Sequence, residues 1–431
     1  MAKQSASVLI RNVRVLDPAS RLDATGHIGV RNGLITSVGK KPPSGKFDET
    51  IDAKGLWLMP GIVDLCARLR EPGATHKASI ASELAAARAA GVTTLCVPPD
   101  TRPVVDTPAM VDRIQSKAAQ AGGARVVVLG ALTQGLAGEA LAEMSALKQA
   151  GCVGVSNAAL GLRDSLVGRR ALEYAKGLDL TVHVTPQNPA LANNGCAHEG
   201  PVATRLGLPP IPVAAEVSAI RFWISLVEDT GARVHFGRLS TARGAEMVET
   251  AQARKLPITA DVAAHQLFLT AEDVDGFNAQ CHVMPPLRSK EDHDGLREAV
   301  KRGVISAICS DHQPHEADAK INPFPLTEPG ISALESLLPL ALKLIEEGVL
   351  TPLQAAERLC LAPSAILGTD GGRLGVGAPA DLILIDPSPR WTFSAARLVS
   401  AGRNTPFDGI EFRGRLVRSW WRGQPVFSAG V

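Results

Sequence analysis

Residues 8–59 alternate apolar and polar positions in short runs, VLIRNVRVLD, HIGVRNGLITSVGK and TIDAKGLWLMP, divided by turn residues. Short apolar runs rich in β-branched residues and bounded by turn residues predict strands, and Asn32-Gly33 between two apolar runs predicts a tight hairpin. The stretch therefore predicts a small antiparallel β element. The C-terminus repeats the style in GAPADLILIDPS (377–388) and FRGRLVRSWWRGQPVF (412–427). β-rich ends around a different middle predict that residues 1–59 and 369–431 pair into one small composite β-sandwich domain.

From 60 to 368 the rhythm changes, and short apolar β-type runs alternate with Ala-rich stretches of helical period. Strands are predicted near 61–66, 92–97, 125–130, 152–156, 180–185, 232–238, 256–262 and 304–310. Helix candidates lie between them, such as SIASELAAARAAG, which has a Ser at its start and a Gly at its stop. Eight strands, each followed by a helix, predict an α/β fold of the (β/α)8 TIM barrel type over 60–368. Longer connections after the fifth and eighth strands would cover its top.

Composition narrows the function classes. With 45 Lys+Arg against 43 Asp+Glu the formal charge is +2, and no run of five like charges occurs. Nothing there offers an electrostatic footprint for nucleic acid or an anionic membrane. The 45% hydrophobic content is ample for a core. Seven cysteines, scattered and without a CxxC pair, argue against a disulfide framework or a zinc ribbon and predict a reducing, cytoplasmic setting. The first 17 residues, MAKQSASVLIRNVRVLD, read as a strand and not as a signal peptide or a membrane span.

In a TIM barrel the chemistry belongs to the C-terminal ends of the strands. Here those ends carry LREPG (69–73), PPDTRPV (98–104), SNAALG (156–161), HVTPQNPAL (183–191), HFGRLST (235–241) and SDHQPH (310–315), with PPLRS (285–289) between strands seven and eight. Together with GISALESLLPLAL (330–342) and in this order, they resemble the dihydroorotases of the metal-dependent amidohydrolase superfamily. The resemblance covers nearly the whole chain. It implies a metal-dependent cyclic amide hydrolase in pyrimidine biosynthesis, with a divalent metal held by His-x-His after strand one, an acidic or carbamylated bridge after strand four, His on strands five and six, and Asp after strand eight.

Against that pattern the chain departs at most of the shell. Cys66-Ala67-Arg68 stands where the two imidazoles would be, Asn157 at the bridge and Arg238 at the strand-six ligand, while only His183 and Asp311 match. A thiolate can bind zinc, but a guanidinium stays protonated and only donates. Like unit charges about 4 Å apart repel by about 4 kcal/mol at an effective dielectric of 20, and a divalent ion feels roughly twice that from each arginine. The expectation is a pocket without metal or other cofactor, in which Asp311 pairs with Arg68 or Arg238. Arg70 matches the resemblance's carboxylate-binding Arg, yet Asp100 replaces its neighbouring Asn and would face a substrate carboxylate with a like charge. Met284 stands before Pro-Pro where Asn is usual, and His315 is kept. His183, His235 and His265 each read, taken alone, as buried core histidines.

These departures predict a non-catalytic dihydroorotase-like chain with a vestigial pocket and no catalytic residues. The resemblance then implies the inactive chains that accompany bacterial aspartate carbamoyltransferase in a complex of six plus six, with a homodimer when alone. Two other readings stay open: an active hydrolase with one zinc on Cys66, His183 and Asp311, and a sensor that binds a pyrimidine precursor through Arg70.

Overall fold

The computed structural model describes residues 7–429, so residues 1–6 of the opening stretch lie outside the described residues. Five strands open the chain: β1 (Val8–Asp17), β2 (Leu22–Arg31), β3 (Leu34–Gly39), β4 (Glu49–Asp52) and β5 (Trp57–Pro60). Asn32 and Gly33 both take positive φ, as the hairpin between β2 and β3 requires. The expectation of a purely antiparallel element needs correction. β1 runs antiparallel to β2 but parallel to β4 and β5. Alternation reports which face a side chain takes and carries no information on strand direction; the connection over 40–48 turns the chain back beside β1.

Next come the barrel strands β6 (Ile62–Asp64), β7 (Val92–Val97), β8 (Arg125–Ala131), β9 (Cys152–Ser156), β10 (Thr181–Val184), β11 (Val234–Phe236), β12 (Ile258–Ala263) and β13 (Ala307–Cys309). They pair in sequence order, all parallel, at the eight places expected. A (β/α)8 TIM barrel is thus the architecture. No ladder joins β13 to β6 directly. The ring closes just beyond their ends, where Arg68 N donates to His312 O at 2.9 Å and His312 N to Cys66 O at 3.2 Å.

A helix follows each barrel strand: α1 (Ile80–Ala90), α2 (Pro108–Ala121), α3 (Met144–Gln149), α4 (Ser165–Gly177), α5 (Val213–Thr230), α6 (Ala242–Ala253), α7 (Lys290–Arg302) and α8 (Leu334–Glu346). Ser79 caps α1 through Ser82, and Gly91 stops it in a left-handed conformation, as the sequence signals. Long excursions follow β10 and β13 as expected, and a third follows β12. Cys196, Val202, Leu208, Val274, Val283, Phe324 and Ile331 join these three into one apolar cluster on the C-terminal side of the strands. PPLRS anchors this cover, with Arg288 donating to Ile211 O at 2.7 Å and to Ser240 Oγ at 3.1 Å.

The chain then returns to the first sheet through β14 (Leu382–Thr392), β15 (Glu411–Trp421) and β16 (Gln424–Ser428). β14 lies antiparallel to β5, with Leu382 opposite Pro60 and Ile385 opposite Trp57. Strands from both ends thus form one eight-stranded sheet around Ile10, Val13, Ile28, Leu58, Leu382 and Trp420.

Candidate active site

The ends of β6, β11 and β13 bring Cys66, Arg68, Arg238 and Asp311 together. Arg238 and Asp311 both sit at positive φ, 59° and 48°, a region that non-glycine residues seldom occupy. Asp261 on β12 holds the first of these turns. Its carboxylate accepts from Arg238 N at 2.6 Å and from His235 Nε2 at 2.8 Å. His235 is fixed at its other nitrogen by Thr259 Oγ1, 2.9 Å away, the residue opposite it in the ladder.

Asp311 Oδ1 accepts from Arg238 Nη1 at 2.8 Å and from Arg68 Nη1 at 3.1 Å, while Oδ2 accepts from Gln313 Nε2 at 3.1 Å. The pair expected with one arginine forms with both. Arg68 Nε continues to Asp100 Oδ2 at 2.9 Å, and Arg238 Nη2 donates to Thr185 Oγ1. Two guanidiniums face two carboxylates, so the cluster balances its own charge. Cys66 Sγ lies 3.1 Å from Arg238 Nη1 and 3.5 Å from Asp311 Oδ1. Burial pushes its thiol up to about 12 despite both arginines, which keeps it protonated at neutral pH.

Burial alone would raise the Asp311 carboxyl, but Arg238 and Arg68 outweigh it and hold the group below the usual carboxylate range. Its contribution to stability is therefore present above about pH 4, the range of an unfolded Asp, and is lost as pH falls through the depressed value. The stability gap between the natural chain and Asp311→Asn is expected to be widest at neutral pH and to close below about pH 4. Urea unfolding at several pH values checks this, and a gap that stays constant down to about pH 2 would refute the linkage.

Of the other sequence-predicted residues only Asp100 joins this cluster, through Arg68. Asn157 Oδ1 accepts from Thr133 Oγ1 at 2.6 Å, and its amide donates to Leu160 O at 3.1 Å and Leu136 O at 3.3 Å, so it ties down the loop after β9. Met284 packs against Ala192, Ile211 and Ala215 in the excursion after β10. Arg70 donates to Pro314 O and His315 Nε2, each at 2.9 Å, and burial lowers it to about 10. His315 lies between Arg70 and Lys77; burial first, then these two cations, push it down to about 3. Asp100, expected to confront a substrate carboxylate with its charge, is answered by Arg68.

His183 is buried with Nε2 unpartnered, its ring 5.1 Å from that of His235, and burial holds it well below the usual imidazole range. His265 is likewise buried and pushed down to about 4. Sequence reasoning missed Asp261, Thr185, Gln313 and Lys77. Thr259 and Asp261 did carry a signal: two polar residues on the same face of an otherwise apolar strand.

The side chains present do not fit the divalent metal that the resemblance implies. The donor that would serve a cation best, Asp311 Oδ1, already accepts from two fixed cations, and the Asn157 carbonyl faces Thr133. Among the described residues no three His, Cys, Asp or Glu side chains are grouped so as to hold an ion.

Residues 55–243 match the family of dihydro-orotase-like proteins, and residues 209–426 match the amidohydrolase family. A dihydroorotase-like protein of Pseudomonas aeruginosa is 48% identical over 410 residues, covering 95% of this chain and 97% of that one. The chain belongs to the dihydroorotase-like amidohydrolase family. A second dihydroorotase-like protein, from Pseudomonas putida, is 47% identical over 94% of this chain and 95% of its own. A dihydroorotase of Geobacter sp. strain M21 is 40% identical over 98% of this chain and all of its own (100%). The fold also matches an L-hydantoinase from Arthrobacter aurescens with a TM-score of 0.90 at 22% identity, over 99% of this chain and 97% of that one.

In this dihydroorotase-like chain the centre of the barrel mouth is nearly filled, while a cavity of about 510 Å³ lies beside it between Arg68, Arg70, Lys77 and Asp100. Cys66, Ser156, His183, His235, Arg238 and Asp261 line a central cavity of about 30 Å³. That is room for a water molecule or two and not for a substrate ring.

Proposed function

We propose that this chain is a non-catalytic member of its family, a pseudoenzyme that acts as a structural subunit. The observation that carries the reading is the double guanidinium grip on Asp311. Opening a cyclic amide with water needs a group that takes a proton from the attacking water. A carboxylate whose lone pairs are held by two fixed cations is a poor base, because each bond to its charged form lowers its proton affinity. The small central cavity supports the same reading, since a ring has no place between Cys66, His183 and Arg238.

The partner is proposed from the resemblance: the catalytic chain of aspartate carbamoyltransferase, in a hetero-oligomer of six plus six that serves pyrimidine biosynthesis. Co-expression followed by sizing and metal analysis tests both halves. One large complex, no more than traces of zinc, and no turnover of dihydroorotate or carbamoyl aspartate are expected. Separate migration of two folded proteins would end the assembly role. Stoichiometric zinc, with turnover abolished by Cys66→Ala, would establish the rearranged zinc hydrolase instead.

A further inference from the structure

Where the barrel meets the first sheet, between α8, the end of β14, β15 and β16, lies a cavity of about 620 Å³ lined by none of Cys66, Arg68, Arg238 or Asp311. Buried Leu338, Phe393, Leu398 and Leu416 and half-buried Trp391 and Phe427 supply apolar wall. Trp391 spends its one donor on Gly414 O at 2.9 Å, so its indole meets the cavity as apolar surface. Apolar surface gathered in this way marks a binding site more often than a plain protein face.

The charges define what fits there. Glu335 is the one carboxylate on the wall, and both its oxygens are taken, by Val399 N at 2.9 and 3.0 Å and by Ser400 N at 3.0 Å. Arg397 and Arg415 line the same cavity, and among the described residues neither guanidinium has a carboxylate or another hydrogen-bond partner. Their neighbours differ: Arg390 is held by Glu411 at 2.6 Å, and Arg403 donates to Ala395 O at 3.1 Å. A guanidinium cannot shed its proton, so the cavity joins apolar wall to two permanent positive charges that no group of the chain answers. A molecule with an apolar body and one anionic head satisfies both. The volume falls within the range of roughly 300–1,000 Å³ that holds small ligands.

We propose that this cavity binds a medium-chain fatty carboxylate, with its chain against Trp391, Leu416 and Phe427 and its head paired with Arg397 and Arg415. The inference stands apart from the assembly role, because it uses none of the ion cluster.

The test titrates the full-length protein with decanoate, below micelle formation, by calorimetry at neutral pH. One saturable site is expected, with affinity at least about tenfold weaker for hexanoate, which forfeits apolar contact, and for decanoate on the double variant Arg397→Gln, Arg415→Gln. Both arginines are exposed, so the double variant is expected to fold. Sedimentation with phosphatidylglycerol vesicles separates a free acid from a membrane lipid, and the protein is expected to stay in solution. A crystal soaked with 10-bromodecanoate is expected to show bromine beside Leu416 or Phe427. Absence of saturable heat, unchanged affinity in the double variant, co-sedimentation with the vesicles, or bromine bound elsewhere or at crystal concentration only would overturn the proposal.

Discussion

Asp311→Ala is expected to lower the stability of the folded chain by about 3–5 kcal/mol, because it strands the buried Arg238 guanidinium beside that of Arg68. Asp311 is 1% exposed and Arg238 5%, so water cannot take over the lost bonds. Arg68 keeps Asp100, but the Arg238 guanidinium keeps no carboxylate partner among the described residues. The informative comparison is with the triple variant Arg68→Met, Arg238→Met, Asp311→Leu. Removing all three charges together avoids the stranded cation and is expected to restore stability to within about 1–2 kcal/mol of the natural chain, or to exceed it. Urea unfolding of both variants checks this. A loss under about 1 kcal/mol for Asp311→Ala would mean that the cluster is wetter and looser than its geometry indicates.

A comparable loss, about 3–5 kcal/mol, is expected for Glu83→Ala. Glu83 in α1 is wholly buried, and its carboxylate accepts from four groups: His312 Nε2 and Ser400 Oγ, each at 2.7 Å, Ser82 Oγ at 2.8 Å and Ala401 N at 3.0 Å. His312 is the residue whose backbone closes the barrel ring, and its Nδ1 accepts from Ala333 N at 3.0 Å. One carboxylate thus joins α1, the closure point and the connection between β14 and β15. Burial would raise it, but His312, Ser400 and Ala401 together hold it below the usual range, so it remains an anion at neutral pH. Its removal should also speed amide hydrogen exchange at 333–334 and 400–401 before it affects β1 or β2. Uniform acceleration throughout the chain would show that Glu83 contributes to global stability without tying these segments together.

The predicted site was legible in part. Cys66, Arg68, Arg238 and Asp311 could be grouped from sequence because a parallel barrel brings every strand's C-terminal end to one rim. The partners that set their direction could not. Asp261 reaches Arg238 N only because β12 lies beside β11 with Asp261 level with the turn, and Asn157 turns to its own loop because Thr133 presents a hydroxyl there. Met284 was grouped with the pocket through its place before Pro-Pro, yet it packs elsewhere. Motif order locates an element, whereas the rotamer and bonding of a side chain depend on neighbours far away in the chain.

The sequence by itself determined the eight alternations of strand and helix, the hairpin at Asn32-Gly33, the helix stops and the presence of two fixed cations at the strand ends, because each follows from local period, backbone preference or side-chain chemistry. Tertiary structure alone decided that β4 and β5 run parallel to β1, that both arginines share one carboxylate, and that His183 Nε2 is buried without a hydrogen-bond partner. These outcomes rest on register and on contacts between residues tens to hundreds of positions apart, and the pattern of hydrophobic and polar residues leaves those contacts open.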